Sequence, residues 1–471
     1  MLWIALTLPD LPLQAITRAA SESGPLAVTG PRARLLSANA AAQALGVRAG
    51  TSVTDALAAA PQLELRQCDP ALEHEALNTL AIMACRFTPS VSLQAPDTVL
   101  IEVLSCLKLF GNVRTIIRQA TEACQELGLD VVHAAAPTPL AAHWLANYAP
   151  GLVVEPRPGW QAVLDKLPVQ ALACGAQVAE SVIDLITGVG IDTIGRLQAL
   201  PREGLARRQA RSVLDTLARA QGHTPDPRRW FTLPARFSAH ITLPASTQDV
   251  EPLLFACDRL FTDLATWLKA GHAATDQCML HLEHERHPAS KFEIIAAAPT
   301  QDKRRWLTIA RERLAVTTLA APVEILRLEA EGTLKIQQAS ADLFGDPTQD
   351  DEAADHLLER LRARFGAQSV HALRTWPDHR PEKAWRCAEP GTDYPTLPGK
   401  RPLWLLPQPR PLQSVEAFRI EAGPERIETG WWDGEEVHRD YYVARAPDAS
   451  RLWIFRDLRT SRDWFVHGYF G

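Results

Sequence analysis

Between Phe237 and Glu329 the hydrophobic pattern changes period several times, in an order that few folds accommodate. Phe237 to Leu243 alternates as a strand does, and Val250 to Ala270 repeats with the period of a helix. Gln277 to Glu283 and Phe292 to Ala297 read as strands, Gln301 to Ala315 as a helix and Val323 to Glu329 as a strand. The order β-α-β-β-α-β is that of the ferredoxin-like split βαβ arrangement.

The residues before this block mix both periods. Leu2-Trp3-Ile4-Ala5-Leu6-Thr7-Leu8 reads as a buried strand without a carboxylate, whereas the strand Thr98 to Val103 follows Asp97. Helices are predicted at Ala38 to Leu45, Ser52 to Ala60, Glu73 to Phe87 and Thr115 to Leu127, with a strand at Val131 to Ala136. Leu167 to Arg229 offers short helices, glycine turns and no convincing strand. After Phe344 come an acidic linker and a helix from about Ala354 to Phe365, stopped by Gly366. Nine prolines between Trp376 and Pro411 argue against continuous regular structure there. The last 60 residues read as β, and seven of the thirteen tryptophans lie beyond residue 370, so a compact β module or a docking surface is expected.

Composition narrows the function. At 471 residues the chain is too long for one core and should form three or four domains. No apolar run reaches the roughly 18–20 residues of a membrane span, and the N-terminus lacks signal-peptide features. Eight cysteines without a C-x-x-C pair argue against structural zinc and a disulfide framework, and fit a reducing cytoplasm. A net charge of −6 argues against polyanion binding by the whole surface. Lys166 to Arg236, with ten Lys/Arg against six Asp/Glu, is a local exception.

Several segments resemble the Y-family (translesion) DNA polymerases. "GPLAVTG…LLSANAAAQALGVRAGTSVTDALAAAPQLEL" is similar to their fingers, and "RFTPSVSL…DTVLIEV" to their palm motif. The tail "GPERIETGWWDGEEVHRDYYVARAPDASRLWIFRD" with "DWFVHGYFG" resembles the polymerase-like subunits of bacterial mutasomes. The resemblance implies an α+β multidomain chain: palm and fingers over 1–165 (fingers about 24–75), a helical thumb over 166–233 and a ferredoxin-like little finger over 234–335. A clamp-motif segment, linker, helix and Pro-rich stretch over 336–412 and an aromatic-rich β module over 413–471 would follow.

Two-metal phosphoryl transfer needs clustered carboxylates. By the resemblance, the family's three fall on Ala5, Asp97 and Thr98, so one survives. The positions that grip nucleotide phosphates fall on Ala40, Gln43 and His143, and the two aromatics, one of them the ribose gate, on Pro9 and Asp10. No metal, nucleotide or other cofactor is expected, and the implied role is a non-catalytic adaptor in SOS-induced mutagenic synthesis in the cytoplasm, at the nucleoid. The competing reading is an active translesion polymerase using Asp97, Glu102 and Asp10 as displaced ligands. A third is a free-standing structural DNA binder.

Gly188-Val189-Gly190 resembles the hairpin of a helix-hairpin-helix, with Arg196, Arg207 and Arg208 following as candidate contacts to the DNA backbone. An ordinary inter-helix turn explains the same residues equally well. Arg236, His240, His281 and Lys291 are the few cations on the strands of the split βαβ block, which predicts weak, sequence-independent DNA binding. Ser340-Ala341-Asp342-Leu343-Phe344 resembles a degenerate sliding-clamp ligand. Trp431, Trp432, Arg439, Tyr441 and Tyr442 are candidates for docking a RecA-like partner and a DnaE-type error-prone polymerase, or for the core of the β module.

Overall fold

The computed structural model describes residues 1–18, 24–174, 178–200, 211–331, 334–335, 348–388, 401–459 and 462–470. Two compact units result, Met1–Arg364 and Phe365–Gly471.

The first unit opens with β1 (Trp3–Thr7) and α1 (Leu11–Thr17). A small three-stranded sheet follows, built from β2 (Leu26–Thr29), β3 (Leu35–Ala38) and β4 (Glu64–Gln67) in the order β3-β2-β4. Between β3 and β4 lie α2 (Ala40–Ala44) and α3 (Val53–Ala59). Both are shorter than the sequence pattern suggests, because Asn39 and Ser52 act as N-caps, accepting from the N–H groups of Ala42 and Asp55. The chain continues through α4 (Pro70–Ala84), β5 (Val91–Gln94), β6 (Thr98–Glu102), α5 (Leu107–Phe110), α6 (Val113–Glu126), β7 (Val132–Ala136) and α7 (Pro139–Tyr148).

The four-stranded sheet, in the segment where the resemblance places the palm, has the antiparallel order β5-β6-β1-β7. β1 is central and buried on both faces, which is why its sequence is apolar throughout rather than alternating. Leu2, Ile4, Leu6 and Leu8 face a core shared with α4 and α6. Trp3 and Ala5 face the other way, into a core with Leu140, Trp144 and Leu145 of α7. That second core continues into the helical region beyond, through Ile183 and Ile186 of α8 (Glu180–Gly188), Ile194 and Leu197 of α9 (Ile194–Gln198) and Leu217 of α10 (Arg211–Ala220).

The split βαβ block runs β8 (Phe237–Thr247), α11 (Val250–Ala270), β9 (Ala273–His284), β10 (Ser290–Thr300), α12 (Lys303–Ala315) and β11 (Val323–Ala330). Its strands lie in the antiparallel order β10-β9-β11-β8, so each helical crossover steps over one strand. Leu260, Phe261 and Trp306 from the helices pack on Leu280, Leu282, Ile294 and Leu326 from the sheet. β12 (Leu334–Lys335) pairs with the start of β9. The last helix, α13 (Thr348–Phe365), begins at Thr348 rather than near Ala354. It is pinned to this block by Glu359, which is buried and accepts from the Ala297 N–H and, at 2.9 Å, from Arg305 Nε.

In the second unit β13 (Ala372–Thr375) and β14 (Trp385–Ala388) form a hairpin. A five-stranded antiparallel sheet follows, from β15 (Trp404–Leu412), β16 (Arg419–Thr429), β17 (Val437–Arg445), β18 (Arg451–Asp457) and β19 (Trp464–Phe470). Its order is β15-β19-β18-β17-β16. β15 corrects an expectation in part, since it is a strand within the proline-rich stretch, although its pairing with β19 shifts register between Leu405 and Arg410. Pro407, Pro409 and Pro411 sit at every second position of an edge strand, the sheet position that tolerates a missing N–H. Among the described residues no helix is long and apolar enough to cross a membrane.

Candidate functional site

The positions on which the resemblance places metal ligands lie at the middle of β1 and around the start of β6. Thr7 pairs with Thr98 and Ala5 with Leu100, so Ala5 and Thr98 share a face one diagonal step apart, about 7 Å. Ala5 is fully buried in the cluster containing Leu100, Ala134 and Trp144, so α7 roofs this position. A carboxylate there would lie in an apolar core without a partner. Thr98 is also fully buried. Its hydroxyl donates to Asp97 Oδ1 at 2.9 Å and lies 2.7 Å from the Thr7 hydroxyl. Asp97 is half-buried, its carbonyl accepts the Leu8 N–H at 2.9 Å, and burial raises its carboxyl above the usual range despite the Thr98 hydroxyl.

The donor set does not fit a metal pair. Asp97 is the single carboxylate of the three positions, and the described residues contain no group of three His, Cys, Asp or Glu able to hold an ion. Glu102 lies at the far end of β6, five residues or about 17 Å from Asp97. Its Oε1 is committed to the N–H groups of Leu2 (3.3 Å) and Leu104 (3.2 Å). Two ions about 4 Å apart cannot be shared across that span.

The nucleotide positions are equally unsuited to phosphate. Ala40 opens α2 on the surface with no polar side chain. Gln43 is exposed and donates from Nε2 to the Ala38 carbonyl at 2.7 Å. His143 is 2% exposed on α7, and burial, with Arg228 nearby, pushes its pKa down to about 4. A neutral, enclosed imidazole cannot replace a cation that meets a triphosphate.

Gly188-Val189-Gly190 ends α8. Gly190 has φ +82°, and its N–H donates to the Thr187 carbonyl at 2.9 Å while that of Ile191 donates to Ile186 at 3.3 Å. This is a Schellman closure with glycine at the left-handed position. The geometry favours the inter-helix turn over a phosphate cradle, because two of its donors are already used. Arg196 pairs with Asp192 at 2.9 Å on the surface. Arg207 and Arg208 lie outside the described residues, as do Ser340, Ala341, Asp342, Leu343 and Phe344.

Strand register brings together cations that the sequence scatters. His240, Arg327, His281 and Lys291 are neighbours in one row across β8, β11, β9 and β10. This row lies on the face opposite the helices and is flanked by acids: Glu329 and Glu293 on one side, Glu283 on the other. Arg327 pairs with Glu283 at 3.0 Å, His281 with Glu329 at 3.4 Å and His240 with Glu75 at 3.7 Å. Arg236 is diverted to Glu331 at 2.9 Å. Sequence reading missed Arg327, although its alternation with Leu326 and Leu328 marks it as outward-facing.

In the second unit the aromatic candidates separate into two groups. Tyr441 is fully buried, stacks on Trp453 with centroids 4.1 Å apart and shares a 2.7 Å hydrogen bond with His467 Nδ1. Arg439 donates to the Tyr441 hydroxyl (3.1 Å) and to Glu382 (3.0 Å), and lies over the Phe455 ring. Tyr442 is half-buried against Trp464. These three are parts of the core and its margin rather than a docking surface. Trp431 and Trp432 differ, being 76% and 58% exposed in the turn between β16 and β17. The turn is held by Arg380, 2% exposed, which reaches Asp378 and Asp433, each at 2.7 Å, and the Glu435 carbonyl at 3.2 Å. Gly430, at φ +93°, is required because a Cβ there would stand 2.6 Å from the Glu435 carbonyl oxygen.

Comparisons with known proteins agree with the sequence resemblance. The impB/mucB/samB family matches residues 14–147. Protein ImuB of Caulobacter vibrioides, from strains NA1000 / CB15N and ATCC 19089 / CIP 103742 / CB 15, is 27% identical over 472 residues, covering 91% of this chain and 100% of the relative. Two solved structures are similar over 71% of this chain and 100% of theirs: a Dbh ternary complex with partially disordered substrates (17% identity, TM-score 0.41) and DinB from Sulfolobus solfataricus (18%, 0.40). Over nearly its whole length the chain is similar to protein ImuB, and its residues 14–147 match the impB/mucB/samB family.

Proposed function

We propose that this ImuB-like chain acts in DNA damage tolerance as a polymerase-shaped adaptor without nucleotidyl transfer of its own. The observation that carries the reading is the palm floor, where Ala5 is roofed by α7 and Thr7 and Thr98 bond to each other beside a lone Asp97. Removing one electrostatic catalytic group can cost about 10²–10³ in rate, and here two ligand positions of three have changed. The chain would hold DNA weakly through the His240–Arg327–His281–Lys291 row, whose charges are largely offset by neighbouring acids. Synthesis would belong to a DnaE-type error-prone polymerase, recruited with the RecA-like ImuA through the second unit, where Trp431 and Trp432 form the exposed pair. The sliding clamp would be met through Ser340 to Phe344, and the whole assembly would work in the cytoplasm, at the nucleoid.

Primer extension by the purified full chain, with Mg²⁺ and Mn²⁺, tests the reading. No template-directed extension is expected from it. Extension that disappears in Asp97→Ala would establish the polymerase with displaced ligands instead.

A further inference from the structure

The split βαβ block is joined to the palm by more than its linker. The linker itself is strapped on at several points. Phe231 donates its N–H to the Val91 carbonyl at 2.7 Å, Trp230 stacks on Trp3 at 6.0 Å, and Trp267 Nε1 donates to Pro234 at 2.9 Å. Away from the linker, a second junction forms between α11 and the palm helices. Arg18, just past α1, reaches three groups: Asp263 Oδ1 at 2.5 Å, Thr79 Oγ1 of α4 at 2.9 Å and the Leu127 carbonyl at 3.4 Å. Arg259 lies 3.8 Å from the same Asp263 carboxylate. The side chains of Arg18, Arg259 and Asp263 are only 12–14% exposed.

The palm side is shaped to receive this cluster. Gly128, at φ +60°, stands where a Cβ would lie 2.9 Å from Arg259 Nη1. Glycine there satisfies both the left-handed backbone and the close approach of the guanidinium. Asp263 is the carboxylate that lies against both arginines, so its charge holds the cluster together, with Asp258 adding a weaker attraction on Arg259 alone. Neutralising it leaves two cations facing each other at low exposure, which is costly.

We infer that Arg18, Asp263 and Arg259 form an ionic latch that holds the split βαβ block against the palm, independently of the linker strap. When the latch opens, the block stays tethered by Phe231, Trp230 and Pro234, and among the described residues it keeps the His240–Glu75 pair and its packing on Ile82 of α4. The surface offered by its open sheet face is therefore preset relative to the palm.

Hydrogen–deuterium exchange on the full chain tests this, comparing wild type with Asp263→Asn and Gly128→Ala, which reach the latch from opposite sides. Both variants should speed exchange about tenfold or more in the facing segments Glu75–Ala84 and Asp258–Ala265, with β1 and β9 unchanged. Asp263→Glu should restore much of the protection. The inference is overturned if exchange in those segments is unchanged in both variants. It is equally overturned if β1 and β9 accelerate to the same degree, because the cluster would then support general stability rather than a separable junction.

Discussion

Thr7 and Thr98 stand opposite each other on β1 and β6 with hydroxyl oxygens 2.7 Å apart, and Thr98 donates its own hydrogen bond to Asp97. This chain of hydroxyls satisfies the polar groups of the palm floor without any ion. Restoring acids one at a time should therefore do harm. Ala5→Asp is expected to destabilise the first unit by about 3 kcal/mol or more, as an unpaired carboxyl under α7. Chemical denaturation measures the loss. Ala5→Asp combined with Thr98→Glu should still show no metal-dependent extension, and extension from the double variant would contradict the roofed geometry.

The two aromatic groups of the second unit should respond in opposite ways. Trp431→Ala with Trp432→Ala should leave the melting temperature nearly unchanged, within about 0.5 kcal/mol in stability. The same double variant should weaken pull-down of the DnaE-type polymerase or ImuA at least tenfold. Tyr441→Ala should cost about 3–5 kcal/mol through the cavity left beneath Trp453.

Arg380 should behave as a buried structural cation. Arg380→Met takes the guanidinium from Asp378 and leaves Asp433 with Lys383 alone, 3.0 Å away, so the melting temperature of the second unit should fall by several degrees. Proteolysis should then cut the Gly430–Glu436 turn first.

Acid should weaken both units through their histidines. His143 and His467 each have pKa values pushed down to about 4, mainly by burial; at His467, Glu382 opposes this and Arg439 reinforces it. An unfolded histidine titrates near 6.5, so between about pH 6.5 and 4 the unfolded chain binds more protons. Stability should be level in this respect above pH 6.5 and fall progressively as pH drops towards 4. Urea midpoints at pH 7.5, 6 and 5 would trace the fall. His467→Asn should flatten it only in the transition of Phe365–Gly471.

Much of this arrangement was legible before the fold was seen. The split βαβ order could be read because its periods are long and capped, and its central helix has the predicted ends, Val250 and Ala270. That Ala5 and Thr98 carry no acid was also readable, since residue identity alone decides it. The roof over Ala5 was not, because it comes from α7 and the helices beyond, distant in sequence. Likewise nothing in the spacing of Gly188 and Gly190 separates a phosphate cradle from a Schellman closure. That distinction rests on which carbonyls the N–H groups of Gly190 and Ile191 meet. The burial of Tyr441 beside the exposed Trp431 depends on strand parity and on Arg380, whose partners lie 2 and 53 residues away.

The proline-studded β15 has a further consequence. With Pro407, Pro409 and Pro411 on one border of the five-stranded sheet, and a charged β16 carrying Glu421, Glu425 and Arg426 on the other, neither border invites an incoming strand. Recruitment by main-chain zippering is thus discouraged at both ends, and the module is guarded against stacking with its own copies. Selectivity among partners would have to reside in side chains at the turns and faces, where single substitutions can retune it without disturbing the sheet.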